Sequence, residues 1–203
     1  MELLLGVIIL IFSAILHEIM HGYAADKLGD PTARLMGRLT LNPIPHIDPI
    51  MSVVVPFVLV FIGSPIIFGA AKPVPVNPHN FRDGKKDFAL VALAGPLTNF
   101  SIAVIAALCA KFFSFNHDMY FFFSLVTFYN LILGFINLIP VPPLDGSRVF
   151  NYLLPKNISA AYMSIEPFGI FLVLILLSLP IAGYQLGDII SNLVFTSMRF
   201  LGF

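Results

Sequence analysis

Five apolar runs organise the chain: Leu3 to about Ala25, Ile50 to Phe68, Phe88 to Phe113, Met119 to Ile139, and Phe168 to about Leu186. Polar stretches, most of them containing proline, separate the runs at 26–49, 70–87, 114–118 and 140–166. A helix crosses the hydrocarbon layer in about twenty residues, which four of the runs supply. The second run does not, because Pro56 stands in its first half and Gly63-Ser64-Pro65 interrupts its second. It reads as a re-entrant hairpin or a broken helix, tolerated at membrane depth where protein buries it. The tail from Gly187 to Phe203 reads as an interfacial helix or the end of the last span. The pattern therefore predicts an all-α polytopic membrane protein. It has about four full transmembrane helices plus the broken element, joined by short extended or β loops. We read residues 1–203 as one membrane-embedded domain, with a catalytic core over about 3–155 and a C-terminal helix and tail over about 166–203.

Composition agrees with a lipid solvent: 58% of residues are hydrophobic, 11% are charged and mean hydropathy is +0.93, against about 25% charged in a soluble domain. Eleven basic and eleven acidic side chains cancel, which excludes a nucleic-acid footprint. Cys109, the single cysteine, excludes an internal disulfide and a thiolate metal site. The first run lacks the basic leader and Ala-x-Ala site of a signal peptide and is expected to be retained.

Charge selects a topology. If the second run crosses, Lys27, Arg34 and Arg38 oppose Lys72, Arg82, Lys85 and Lys86, and no bias remains. If it dips and returns, these residues share a face with Arg148 and Lys156, leaving only Lys111 and Arg199 opposite. The rule that positive loops stay inside then makes that face cytoplasmic, in a prokaryotic cell membrane.

Candidate chemistry lies at the end of the first run, in His17-Glu18-Ile19-Met20-His21. On a helix, positions i and i+4 share a face, so two imidazoles reach one cation while Glu18 stays free to move a proton. Ionisable groups in one lipid-embedded turn are costly and mark a functional site by default. A catalytic zinc site needs a third protein ligand. Asp145, just beyond the inward end of the fourth run, is the best candidate, because the re-entrant topology brings it to the same face as His17 and His21. His46 and Asp48, in a proline-flanked loop, are weaker alternatives whose simpler role is ordering the site entrance. His79 and His117 read as solvated loop residues, and Glu166 as an interfacial charge or cap. Asn137 and Asn99 are amides in apolar surroundings. Each could hold a substrate carbonyl or a developing oxyanion, or bond between helices, and the structural role is favoured for Asn99.

His17-Glu18-x-x-His21-Gly22, Ala-Gly-Pro-Leu-x-Asn at 94–99 and Asn-Leu-Ile-Pro-x-Pro-Pro-Leu-Asp-Gly at 137–146 together resemble the site-2 protease family of intramembrane zinc metalloproteases (peptidase M50). Gly29-Asp30-Pro31-Thr32-Ala33-Arg34, Gly37-Arg38-Leu39-Thr40-Leu41-Asn42-Pro43, His46-Ile47-Asp48-Pro49 and Phe68-Gly69-x-Ala71-Lys72-Pro73-Val74-Pro75-Val76-Asn77 are similar to its short prokaryotic branch without PDZ or CBS domains. Residue 70 is alanine where that branch usually carries tryptophan. The resemblance implies one Zn2+ on His17, His21 and Asp145, Glu18 as general base and acid, and Asn137 as a substrate or oxyanion contact. It also implies a membrane-anchored protein substrate, cut within or beside its transmembrane segment. Two rivals use the same residues: a metal-ion transporter, which needs a polar route across the whole bilayer, and a catalytically idle membrane scaffold. Ligands clustered near one face count against the first, and the intact motif against the second.

Overall fold

The computed structural model describes residues 2–61, 71–178, 180 and 185–203. Gly63-Ser64-Pro65 and Phe68 to Ala70 lie outside the described residues. Helix α1 (Glu2–Lys27) is followed by the short α2 (Thr32–Leu35) and by a π-helical turn, Pro49–Val54, that passes into α3 (Val55–Phe61). Helices α4 (Gly84–Phe112), α5 (His117–Asn137), α6 (Asp145–Leu153), α7 (Lys156–Met163), α8 (Gly169–Ser178) and α9 (Leu186–Leu201) complete the order. Residues 71–77 take no regular secondary structure; Asn77 is extended, and Pro73 and Pro75 bias the residues before them towards extended backbone, but no strand ladder occurs among the described residues.

Four segments are long and apolar enough to cross a membrane: Leu4–Lys27, Gly84–Phe112, His117–Asn137 and Lys156–Leu177. The last starts well before the Phe168 expected from hydropathy, since only a bend and a 3-10 turn, Glu166–Phe168, separate α7 from α8. The tail forms a separate helix. α9 returns along α5, with Phe195 against Phe128, and ends where Phe203 meets Tyr120 at 5.8 Å between ring centroids.

Packing between the long helices uses small side chains. α4 buries Ala89, Ala92, Gly95, Asn99, Ala103, Ala106 and Ala110 and exposes Leu97, Ile105, Leu108 and Phe112. Lipid tails are as apolar as leucine, so helix association in a bilayer depends on close approach and interhelical hydrogen bonds more than on hiding large apolar groups. Spacing by threes and fours puts the small residues on one face.

The two polar segments flanking the second apolar run meet. The Lys72 N–H donates to the His46 carbonyl at 2.8 Å, and the Arg38 guanidinium donates to the carbonyls of Lys72 at 2.8 Å and Pro73 at 3.3 Å. The segments before and after the run thus lie together at one end of the helix bundle. That end also receives the C-terminus of α1, through Ala25 packed with Phe81 and Val91 near the start of α4. Arg34 pairs with Asp26, Lys85 with Ser159, and Arg148 with Glu166 there. Lys111 lies at the other end against Gly202, beside the last turn of α9, which carries Arg199.

Asp30 is the knot of the loop layer. It is fully buried, and it accepts from the Asn77 N–H at 2.6 Å, the Asn80 amide at 2.7 Å, the Thr32 N–H at 3.2 Å and the Thr32 hydroxyl. Burial pushes its carboxyl up, but the Thr32 hydroxyl, the Asn80 amide and the two main-chain donors outweigh that and hold it below 3.8. A depressed folded value makes its stabilisation fully present above the ordinary carboxylate value and lost as pH falls through the folded one. Asp30→Ala, which strands several buried donors, should cost about 3 kcal/mol, read as a lower melting temperature in detergent. Asp30→Asn should melt lower than the parent at neutral pH and lose less of its stability on acidification below about pH 4.

Candidate metal centre

His17 and His21 stand one turn apart on α1, and Asp145 is the first residue of α6. His17 Nε2 lies 3.0 Å and His21 Nε2 3.2 Å from the same Asp145 oxygen, Oδ2, and the two Nε2 atoms are 2.9 Å apart. Among the described residues these three form a group able to hold a metal ion. The histidine side chains are 8% and 10% exposed and that of Asp145 18%, so the cluster meets the surface on its Asp145 side.

The outer nitrogens fix the tautomers. His21 Nδ1 lies 2.7 Å from the Val91 carbonyl, which only accepts, so Nδ1 carries a proton, and in the neutral imidazole Nε2 is then a bare lone pair. For His17 the assignment passes through two amides. Asn130 Nδ2 donates to the Val126 carbonyl and the Ser13 hydroxyl, both at 2.9 Å, so its Oδ1 faces Asn99 Nδ2 at 3.0 Å. Asn99 Oδ1 then faces His17 Nδ1 at 2.6 Å, and His17 also presents a bare Nε2 inward. Asn99 and Asn130 are fully buried, so the relay is out of reach of bulk solvent.

With both imidazoles neutral, two lone pairs and a carboxylate therefore converge on one point. Such a donor set repels itself unless a cation sits among the three, and a His/His/carboxylate triad that leaves a fourth position open suits Zn2+. Gly95 makes the room: a Cβ there would lie 2.5 Å from His17 Nε2 and from His21 Nε2. The next residue, Pro96, has no N–H for the Ala92 carbonyl, which adjoins the Val91 carbonyl that accepts from His21.

Asp145 is held from both sides. A Cβ on Gly146 would meet the Leu138 carbonyl oxygen at 2.1 Å, so α6 can begin against the end of α5 only with glycine there. At the first turn of α6 the carboxylate also meets the positive end of the helix dipole. Behind it Arg148 bonds Glu166 and lies 5.2 Å over the Phe88 ring, and the Tyr162 hydroxyl donates to the Pro140 carbonyl at 2.9 Å. Glu166 is thus an ion-pair partner rather than a cap.

Glu18 is half-buried on the same helix and accepts the Val74 N–H at 2.7 Å. Among the described residues Asn137 donates to its own helix, at the Leu133 carbonyl 3.0 Å away, rather than to a neighbouring one. His46 is away from the cluster, with Nε2 donating to the Thr40 carbonyl at 2.9 Å, and Asp48 accepts the Ile50 N–H at 2.9 Å as the π-helical turn begins. Both order the loop layer. His79 and His117 are exposed. The expected interhelical role of Asn99 is observed, with the orientation of His17 added. Sequence reasoning did not single out Ser13 or Asn130, and it met Gly95 only within the 94–99 motif, not as the residue that makes room for the imidazoles. Their signals were a hydroxyl one turn before His17, an amide in the middle of an apolar run, and a glycine beside a helix-interior proline.

The model of peptidase family M50 matches residues 113–178. The chain is 36% identical over 189 residues to "Putative zinc metalloprotease YwhC" of Bacillus subtilis (strain 168), covering 89% of this chain and 83% of that protein. It is 31% identical over 188 residues to "Putative zinc metalloprotease Rip2" of Mycolicibacterium smegmatis, covering 86% and 69%. "Stage IV sporulation protein FB" of Bacillus subtilis is 35% identical over 85 residues, covering 42% and 28%. No solved structure matches the chain.

Two substitutions probe the centre through its surroundings. Gly95→Ala should abolish stoichiometric zinc in the purified protein, measured by elemental analysis. Asn130→Leu, which releases the relay behind His17, should weaken zinc by about tenfold or more in competition with a chelator; unchanged affinity would show that His17 needs no such support.

Proposed function

This chain belongs to peptidase family M50, the site-2 proteases, and on that footing we propose that it hydrolyses peptide bonds within or next to the transmembrane segments of membrane-anchored proteins. The observation that carries the reading is the convergence of His17, His21 and Asp145 at one end of apolar helices, with Glu18 on the same turn of α1. Membrane-anchored substrates suit a site buried among spanning helices, and the nine basic residues gathered at that end favour the cytoplasmic face of a prokaryotic cell membrane. Residues 1–203 act in this reading as one membrane-embedded unit.

His17, His21 and Asp145 are the residues that would hold Zn2+. When bound, the ion polarises a peptide carbonyl and renders a water nucleophilic near neutral pH. Glu18 takes the proton released as that water attacks and later gives it to the leaving amine, so one carboxylate serves both half-reactions. Asn137 is the proposed substrate or oxyanion contact. To act, its amide exchanges the Leu133 carbonyl for the substrate, one amide–oxygen bond for another at little net cost. Water enters on the Asp145 and Glu18 side, where the cluster is least buried.

The test is cleavage of a membrane-anchored reporter by the purified protein in liposomes. Glu18→Gln should keep fold and zinc and lose cleavage by about a thousandfold or more. Parent-level cleavage in that variant would remove Glu18 as the base.

A further inference from the structure

Glu18 is not left to solvent. The extended segment Lys72–Asn77 lies across its face of α1, with the Val74 side chain buried where Gly22, one turn after Glu18, leaves room: a Cβ on Gly22 would come within 2.9 Å of Val74 Cγ1. Val74 stands between Pro73 and Pro75, neither of which has an N–H, so within Pro73-Val74-Pro75 only Val74 can donate, and it donates to Glu18 Oε2 at 2.7 Å. Both prolines also hold the segment extended. Its ends are tied down by Arg38 on the carbonyls of Lys72 and Pro73, by Lys72 N–H on His46, and by Asn77 N–H on Asp30.

A carboxylate on a flexible side chain has several rotamers, of which few suit a proton transfer that tolerates only small misplacement. A main-chain donor on a segment tied at both ends holds one oxygen and leaves Oε1 for water. We propose that the Val74 N–H positions Glu18 for proton transfer, and that Arg38 is a positioning residue acting through the Lys72–Asn77 strap. The assignment rests on the protease reading above and adds what makes its base competent.

Three variants test it in the liposome assay, with zinc content and melting temperature measured on each. Val74→Pro removes the donor where the backbone is already extended; Val74→Ala keeps the donor and trims the packing; Arg38→Met keeps an apolar stem and removes the clamp. Val74→Pro and Arg38→Met should lower kcat by about tenfold or more with KM within about twofold and zinc retained, whereas Val74→Ala should stay within about threefold of the parent. The proposal is overturned if either Val74→Pro or Arg38→Met, folded and holding zinc, keeps the parent kcat, or if Val74→Ala falls as far as Val74→Pro. A variant that loses fold or zinc leaves the decision to the other. Hydrogen exchange separates this from failure of the protease reading, because it needs no substrate: the Val74 amide should be protected in the parent and exchange faster in Glu18→Ala. Equal protection in the two would sink the contact even in a protein that cleaves nothing.

Discussion

Three hydrogen-bond acceptors aimed at one point, His17 Nε2, His21 Nε2 and Asp145 Oδ2, impose the constraint on which the rest of the structure depends. Convergent lone pairs in a buried, weakly screened place are costly without a cation among them. Each neighbouring element answers that cost. α4 contributes the Val91 carbonyl and Asn99 to hold the outer ring nitrogens, α5 contributes Asn130 to hold Asn99, and Ser13 on α1 closes the relay. Four hydrogen bonds that join the three long helices therefore also set the histidine tautomers.

The same requirement explains the small residues. Backbone must come close enough for Val91 and Asn99 to reach the rings, and bulky side chains on that face of α4 would prevent it. Gly95 is the extreme case, with no space for a single carbon between α4 and the two imidazoles. Leucine and phenylalanine are displaced to the outer faces, where lipid accepts them.

Around this centre lies a second layer made of loop. Asp30, Arg38 and His46 lie outside the metal cluster, yet they fasten residues 71–77 to residues 26–49 and so lay the Val74 N–H on Glu18. A helix alone presents Glu18 in the right place, but an extended segment from elsewhere in the chain restricts its orientation.

Much of this protein was determined by sequence acting locally. Apolar runs of bilayer length dictate spanning helices because backbone in lipid must satisfy its own hydrogen bonds, and helical periodicity alone puts His17 and His21 on one face. The partnership with Asp145 was also within reach, since the charge distribution and the need for a third ligand require the same topology. Tertiary structure alone decided which polar groups face which. Asn99, Asn130 and Ser13 are isolated polar residues in three apolar helices, and their relay exists only at the rotation and depth at which those helices pack. Asn137, eight residues before Asp145, bonds to its own helix, because a side-chain amide near a helix end finds a carbonyl one turn back. The Val74 contact joins residues 56 positions apart through loops with no periodicity to read, and such pairings follow from closure of the fold rather than from any local pattern.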